Sequence, residues 1–381
     1  MQDASDQPDN PIEPTAAPAP RKKTGWWIAA GGLLLALCLG LYFGLYQPFA
    51  QKALNTPLPK VVLTPAPLPA ALATPDLSAE ATPVKAPLSI PQLQETRVTL
   101  QADNPRTPVC GNQDELLILL VGIDYLGQGY LYGLADVIRL VRVDFIRPAV
   151  EVVTLPRSLL VQVPPRLDAP APILLNQAYF FGSPGMQRYA GEADGAGALA
   201  ETIQYNFGLA PDHYLVVDFS AFIDFIDAIG GVTIDLPSAI DDSPRAFFPA
   251  GPQTLSGKQA LNLARIRRKY SESVRIDHQT LLLRALLRTL QQPATLAQLP
   301  GLSERFLGAV LSDVSPRQIQ DGLCLLRQLD SGQVDFHSPG AALIQLGWAY
   351  VPSVSQPMNI YRWDAAFVYW LYDKLWFEDS P

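Results

Sequence analysis

A single uncharged run, Gly25 to Phe49, constrains this chain more than any other feature. It is long enough to cross a bilayer once as a helix, and a chain that does so places the sequence before the run on one side of the membrane and all that follows it on the other. Arg21-Lys22-Lys23 abuts it on the N-terminal side, which keeps that end in the cytoplasm. Trp26 and Trp27 at one end, with Tyr42 and Tyr46 near the other, suit the two interfaces. A cleaved signal peptide is the competing reading, but the run exceeds a usual apolar signal core and no clean small-x-small site follows it. The expectation is a cytoplasmic tail at 1–23, disordered where it is acidic and rich in Pro and Ala, a membrane anchor at 24–49, and an extracellular remainder.

The 36 prolines are far above ordinary usage. Many recur from Gln51 to Pro91 beside Ala, Thr and Leu, which predicts no packed core there but a semi-rigid extended stalk over 50–108. Net charge is −8, so no broad basic field exists to neutralise a nucleic-acid backbone, and a nucleic-acid partner is excluded. Three histidines are scattered and no Cys/His spacing suits zinc. Cys38 falls in the apolar run. Cys110 and Cys324 lie in the exported part, where count alone leaves a disulfide and two buried thiols equally open. Their location and the absence of other partners lead us to expect the disulfide.

Folded sequence is expected from 109. Strand-like runs are Leu116–Ile123, Val137–Phe145, Val150–Leu155, Tyr214–Phe219 and Val232–Leu236. Helices are expected at Gly195–Asn206 and Ser220–Ile229, each stopped by glycine, and at Gly257–Ala264, opened by a Ser256/Gln259 capping box. A longer one covers Val274–Leu290, with Ile276, Thr280, Leu283, Leu287 and Leu290 on one stripe. Strands alternating with helices indicate an α/β class. The reading is a domain at 109–292, followed by a helical extension, 293–381, packed on it.

Isolated charges stand at the ends of these apolar runs. Asp124 closes the first strand, Asp136 opens the second, and Arg157 follows Thr154-Leu155-Pro156. Arg265 and Arg267 lie just beyond a capped helix, while Arg275 and Gln279 share a helix face at i and i+4. Two carboxylates suit a hard cation such as Mg²⁺, and several guanidiniums clamp phosphate oxygens through paired N–H donors. Each residue alone has a bland reading, as a turn cap or a surface ion pair; together they describe a phosphoryl-transfer site. Converged guanidiniums should also repel one another until a phosphate arrives. Arg139 and Arg142 are an odd number of strand positions apart and point to opposite faces.

The ordered phrases carry a resemblance. Leu-Val-Gly-Ile-Asp at 120–124, Ala-Asp at 135–136, Thr-Leu-Pro-Arg at 154–157 and Asn-Gln-Ala-Tyr at 176–179 come first. Val-Val-Asp-Phe at 216–219, Ile-Gly-Gly-Val at 229–232, Leu-Ser-Gly-Lys-Gln-Ala-Leu at 255–261 and Ala-Arg-Ile-Arg at 264–267 follow. In this order and spacing the chain resembles the LytR–CpsA–Psr family of membrane-anchored cell-wall glycopolymer phosphotransferases. The resemblance implies an α/β/α sandwich with a central mixed sheet and an apolar pocket for a polyprenyl chain. It implies that Asp124 and Asp136 hold Mg²⁺, that Arg157, Arg265, Arg267 and Arg275 bind the pyrophosphate, and that Gln279 lies beside them. It implies a polyprenyl-pyrophosphate-linked glycan as donor and a peptidoglycan sugar hydroxyl as acceptor. Ser158, Glu272, His278 and Ala135 depart from the family's usual residues. The metal and phosphate residues survive these departures, so activity is expected, weakened or with an altered acceptor; the competing readings are a scaffold that binds lipid-linked glycans or wall polymer, and a pyrophosphatase that uses water as acceptor.

Overall fold

A computed structural model describes residues 53–70, 72, 89–102, 107–125, 130–266, 269–306 and 309–377. The expected cytoplasmic tail and membrane anchor lie outside these. Among the described residues no helix is long and apolar enough to cross a membrane.

After helix α1 (Ile90–Ala102) the chain runs through β1 (Glu115–Ile123), β2 (Ala135–Asp144), β3 (Ala149–Thr154), β4 (Leu160–Val161) and β5 (Ile173–Leu174). Helices α2 (Leu175–Gly182) and α3 (Asp194–Phe207) lead to β6 (His213–Val217), α4 (Phe219–Ala228) and the short strands β7 (Val232–Leu236), β8 (Ile240–Asp241), β9 (Phe247–Phe248) and β10 (Gly251–Leu255). Then come α5 (Gly257–Ala264), α6 (Glu272–Leu290), α7 (Pro293–Phe306), β11 (Leu311–Ser312), α8 (Pro316–Leu326), β12 (Val334–His337), the hairpin β13 (Ile344–Val351) with β14 (Gln356–Trp363), and α9 (Ala365–Tyr372).

Six strands make one mixed sheet in the order β11-β6-β1-β2-β3-β12. β1 pairs antiparallel with β2 and parallel with β6, so the end of β1, the start of β2 and the end of β6 meet at one edge. Alternation along β1 sends Leu117, Leu119, Val121 and Ile123, all fully buried, into the main core with Ala178 of α2 and Leu199 and Ile203 of α3. The other face carries Leu120 and Gly122 toward α4 and α6. A second core joins β7 and β10 to α4, α5 and α6 through Ile226, Ile234, Leu263, Leu282 and Ala285. The result is α/β with a central mixed sheet between helical layers, as the class expectation had it.

Three expectations need correction. The proline-rich segment is not wholly a free stalk. Residues 53–70 form no helix or strand but lie on the domain: Leu58 and Ala66 are buried, the Leu58 amide donates to Asp313 and the Ala66 amide to the Tyr205 carbonyl. Proline removes donors without preventing the remaining amides and apolar side chains from docking. The domain also begins before 109, because Ile90 and Leu93 of α1 enter the main core. Secondly, 293–381 is not simply helical; it adds β11 and β12 to opposite edges of the sheet and contributes a hairpin. Thirdly, the buried stripe of α6 is Arg275, Ile276, Gln279, Leu282, Ala285 and Thr289. The helix is rotated from the apolar stripe because two of its polar side chains are turned inward.

Candidate active site

Sheet topology gathers the candidate residues. Antiparallel pairing of Gly122 with Val137 sets Asp124 beside Asp136, and the intervening loop is closed by the Leu134 amide donating to Asp124 Oδ1 (2.7 Å) and the Asp124 amide to the Leu134 carbonyl (3.1 Å). β3 runs back along β2, and just past its end the Leu155 amide donates to the Ile138 carbonyl (3.0 Å), bringing Arg157 to the same edge. On the opposite wall α5 begins at the Ser256/Gln259 capping box and ends at Arg265. Its first turn lies so close to α4 that a Cβ on Gly257 would stand 2.2 Å from the Ile223 carbonyl oxygen, so only glycine fits there. Gln279 Nε2 donates to the Ala264 carbonyl (3.1 Å) and ties α6 to that wall.

A cavity of about 350 Å³ is lined by Asp124, Asp136, Arg157, Arg265, Arg275 and Gln279 together. Arg267 lies outside the described residues. Asp218 and Arg245 also line the cavity. Arg245 comes from an irregular loop with no sequence signal; its Nη1 donates to the Arg265 carbonyl (3.1 Å). Gly122, Val137, Val217, Phe222, Ala264 and Gln279 are shared with a second cavity of about 420 Å³. Its further lining is apolar: Leu120, Leu215, Phe225, Leu282, Leu283, Leu286, Phe306 and Val310. A charged mouth thus opens directly into a greasy groove.

Charge balance inside the mouth departs from the expectation of mutually repelling guanidiniums. Arg157 Nη1 is ion-paired with Asp136, and its Nε stands 3.8 Å from Glu272. Arg275 Nη2 lies 3.3 Å from the same Glu272, which also accepts from the Ser158 hydroxyl (2.9 Å). Two of the departures from the family pattern, Ser158 and Glu272, therefore bond each other and anchor two arginines. Arg265 stacks its guanidinium 4.3 Å from the Phe219 ring centroid. His278 sits edge-on to Tyr270 at 5.9 Å, and burial pushes its pKa down.

Desolvation raises the pKa of Asp124; the Leu134 amide pulls it back, and the nearby charge of Asp136 pushes it up again. Arg265 and Arg157 draw it down in turn. Among the described residues no group of three or more His, Cys, Asp or Glu is placed to hold a metal. Two carboxylates beside a cluster of guanidiniums are a donor set that fits Mg²⁺, which keeps several waters and takes few protein ligands.

Away from the cavity the structure joins Cys110 and Cys324 in a disulfide with Cα atoms 6.0 Å apart, within the usual range. It fastens the entry of β1 to α8.

The LytR_cpsA_psr family model matches residues 89–338. The chain belongs to that family. Among curated relatives it is 29% identical over 224 residues to the polyisoprenyl-teichoic acid–peptidoglycan teichoic acid transferase TagV of Bacillus subtilis (strain 168), covering 56% of this chain and 53% of TagV. It is 26% identical to the regulatory protein MsrR of Staphylococcus aureus (strain COL), covering 56% of this chain and 61% of MsrR. The chain thus spans little more than half the length of these relatives. The crystal structure of B. subtilis TagV superposes with a TM-score of 0.54 at 23% identity, covering 71% of this chain and 100% of that one. A structure of TagT bound to LIIa-WTA gives 0.52 at 17%, covering 69% and 90%. At these identities the structural likeness establishes the shared fold.

Proposed function

We propose that this chain is a membrane-anchored phosphotransferase that moves a glycan phosphate from a polyprenyl-pyrophosphate carrier to a sugar hydroxyl of peptidoglycan. One observation carries the reading: an arginine-lined polar mouth and an apolar groove share a wall, as an amphipathic pyrophosphate lipid requires. The names of TagV and of a TagU from Oceanobacillus iheyensis, 31% identical over 163 residues, support the same class of donor and acceptor. Residues 24–49 hold the domain at the outer face of the cell membrane, with the N-terminus in the cytoplasm.

Arg157, Arg265 and Arg275 bind the two phosphates, with Arg245 and Gln279 beside them. Asp124 and Asp136 would hold Mg²⁺, which when bound neutralises charge on phosphate oxygens. The groove orients the lipid so that the phosphorus bearing the glycan faces the open mouth. The acceptor hydroxyl oxygen bonds to that phosphorus as its proton passes to water, and the bond from phosphorus to the bridging oxygen breaks, releasing polyprenyl phosphate. Positioning and charge neutralisation do most of the work.

The test is phosphodiester formation by the full chain, with a polyprenyl-pyrophosphate glycan and purified peptidoglycan. Arg265→Lys, which keeps the charge but loses the planar fork, should lower the rate by about tenfold or more, the scale of one lost charge-assisted contact. Glycan release without acceptor would instead identify a pyrophosphatase. Donor binding without any turnover would identify a scaffold.

A further inference from the structure

The β13–β14 hairpin lies beyond the stretch that matches the family model. One of its faces is used for packing: Val351 and Ile360 are buried against Leu174, with Ala349, Met358 and Leu160 around them. The register fixes what the other face carries. Leu346 pairs with Tyr361, Trp348 with Asn359 and Tyr350 with Pro357. Side chains alternate along a strand, so these six share one surface, whose end at Ile344 and Trp363 is buried in the main core with Tyr361 packed against it. Leu346 is 69%, Trp348 68% and Tyr350 59% exposed, values at odds with the usual burial of such side chains. The hairpin cannot rotate to hide them, because the Trp363 indole donates to the Leu160 carbonyl (2.8 Å) and the Tyr361 amide to the Ser158 carbonyl (2.9 Å).

That second bond places the exposed face beside the candidate site. Ser158 follows Arg157 and bonds Glu272. The Tyr361 phenol is close enough to the site for the charges of Glu272 and Arg275 to act on it in opposite directions. A mainly aromatic and apolar stripe therefore starts at the rim of the charged mouth and runs outward along the hairpin. None of its six residues is charged. Arg362 belongs to the opposite face by register.

We propose that this face is the platform on which the neutral sugar backbone of a glycan strand lies, bringing an acceptor hydroxyl to the mouth. The inference rests on the proposed transferase reading. Sugar rings present apolar C–H faces that stack on Trp and Tyr rings, with hydroxyls left to groups such as the Asn359 amide. Rings on alternate strand residues are spaced by about 7 Å, which gives an extended polymer successive places to rest. Lack of charge on the stripe disfavours an anionic membrane surface, which attracts Lys and Arg. Continuity with the mouth favours a reactant of the site over an unrelated protein partner.

The experiment compares the full chain with a Trp348→Ala/Tyr350→Ala double variant and with Trp348→Phe. Cosedimentation with purified peptidoglycan should weaken by about tenfold or more in the double variant, the scale of one to two lost aromatic contacts, and by much less in Trp348→Phe. The rise in melting temperature caused by a polyprenyl pyrophosphate should be the same in all three. Unchanged peptidoglycan binding by the double variant overturns the proposal. So does a loss seen only in binding to anionic phospholipid vesicles, or only in self-association by sedimentation velocity. If polyprenyl pyrophosphate stabilises none of the proteins while peptidoglycan binding still depends on Trp348, the donor reading fails and the glycan platform stands.

Discussion

Arg139→Met should leave the protein as stable as the parent or make it more stable, although it deletes a fully buried arginine. Arg139 sits in mid-β2 with no exposed surface. Its Nη1 donates to the Thr154 hydroxyl and its Nη2 to Thr280 (3.3 Å), while its Nε has no hydrogen-bond partner. Burial lowers its pKa from 12.5 to about 10, with only a partial counter-pull from Asp277. That fall corresponds to about 3 kcal/mol against the charged form. Methionine removes this cost and fills much of the volume without a charge, whereas alanine would add a cavity. The two hydrogen bonds to a charged donor are lost, but Thr154 keeps Ser338 (3.1 Å) and Thr280 can bond its own helix. The balance is about 0–2 kcal/mol in favour of methionine, a rise of up to several degrees in melting temperature. The sign with pH is fixed. A base with a lowered folded pKa bears its penalty wherever it is protonated in both states, and is relieved only as pH climbs through about 10 toward 12.5. The gain should therefore be flat from about pH 6 to about pH 8.5. Thermal and urea unfolding at several pH values measure it. A loss above about 2 kcal/mol would show that the buried charge is compensated and the reasoning mistaken.

Glu115 makes a pH-dependent contribution of the opposite kind. Burial opposes its charge, but Arg97 (2.7 Å) and Arg142 (3.0 Å) outweigh that and hold its pKa below 4.5. A lowered carboxylate pKa stabilises above the unfolded value and loses that as pH falls through the folded one. Glu115→Gln should cost about 2 kcal/mol at neutral pH and flatten the acid limb of the melting curve below 4.5; an unchanged limb would sink the claim. The Cys110–Cys324 bridge closes a loop over a separation of 214 residues, for which chain entropy gives up to about 5 kcal/mol. A Cys110→Ser/Cys324→Ser double variant should melt lower and lose the parent's sensitivity to reductant. Donor affinity should rise with lipid length until the groove is filled, by up to about 0.8 kcal/mol per buried CH₂; equal affinity for inorganic pyrophosphate and the long-chain donor would rule the groove out.

What was legible in the sequence was local. β7 and α5 match their expected ranges, and β1, β2, β3 and α3 differ by only a residue or two at their ends, because unbroken apolar runs and caps act over a few residues. Asp124, Asp136 and Arg157 stood out because a lone charge at the end of an apolar strand has few structural uses. Arg245 did not, since an irregular loop after Ser243-Pro244 has no period to read. β11 and β12 are short, and their strand character comes from pairing with β6 and β3, far away in sequence. The rotation of α6 was hidden for a related reason: an apolar stripe predicts the buried face only when no polar residue on that helix is drawn inward, and Arg275 and Gln279 are.

A chain with net charge −8 gains no long-range attraction for an anionic donor. The arginines of the mouth can act only at contact, and Arg157, Arg265 and Arg275 already have acidic groups near them. On the proposed reading phosphate binding there is an exchange, in which Arg157 leaves Asp136, and Arg157 and Arg275 loosen from Glu272. Such an exchange yields less than the formation of new pairs, so the groove must supply much of the donor's binding energy. It also has a consequence for the cation on the proposed reading. Drawing Arg157 toward phosphate frees the Asp136 carboxylate beside Asp124, and placing a cation on the carboxylates frees Arg157 for phosphate. The Arg157–Asp136 pair has to open only once for both. Donor and Mg²⁺ therefore strengthen each other's binding by the same factor, as linkage demands, and Asp136→Asn, which releases Arg157 in advance, removes that mutual effect even where it leaves donor binding intact.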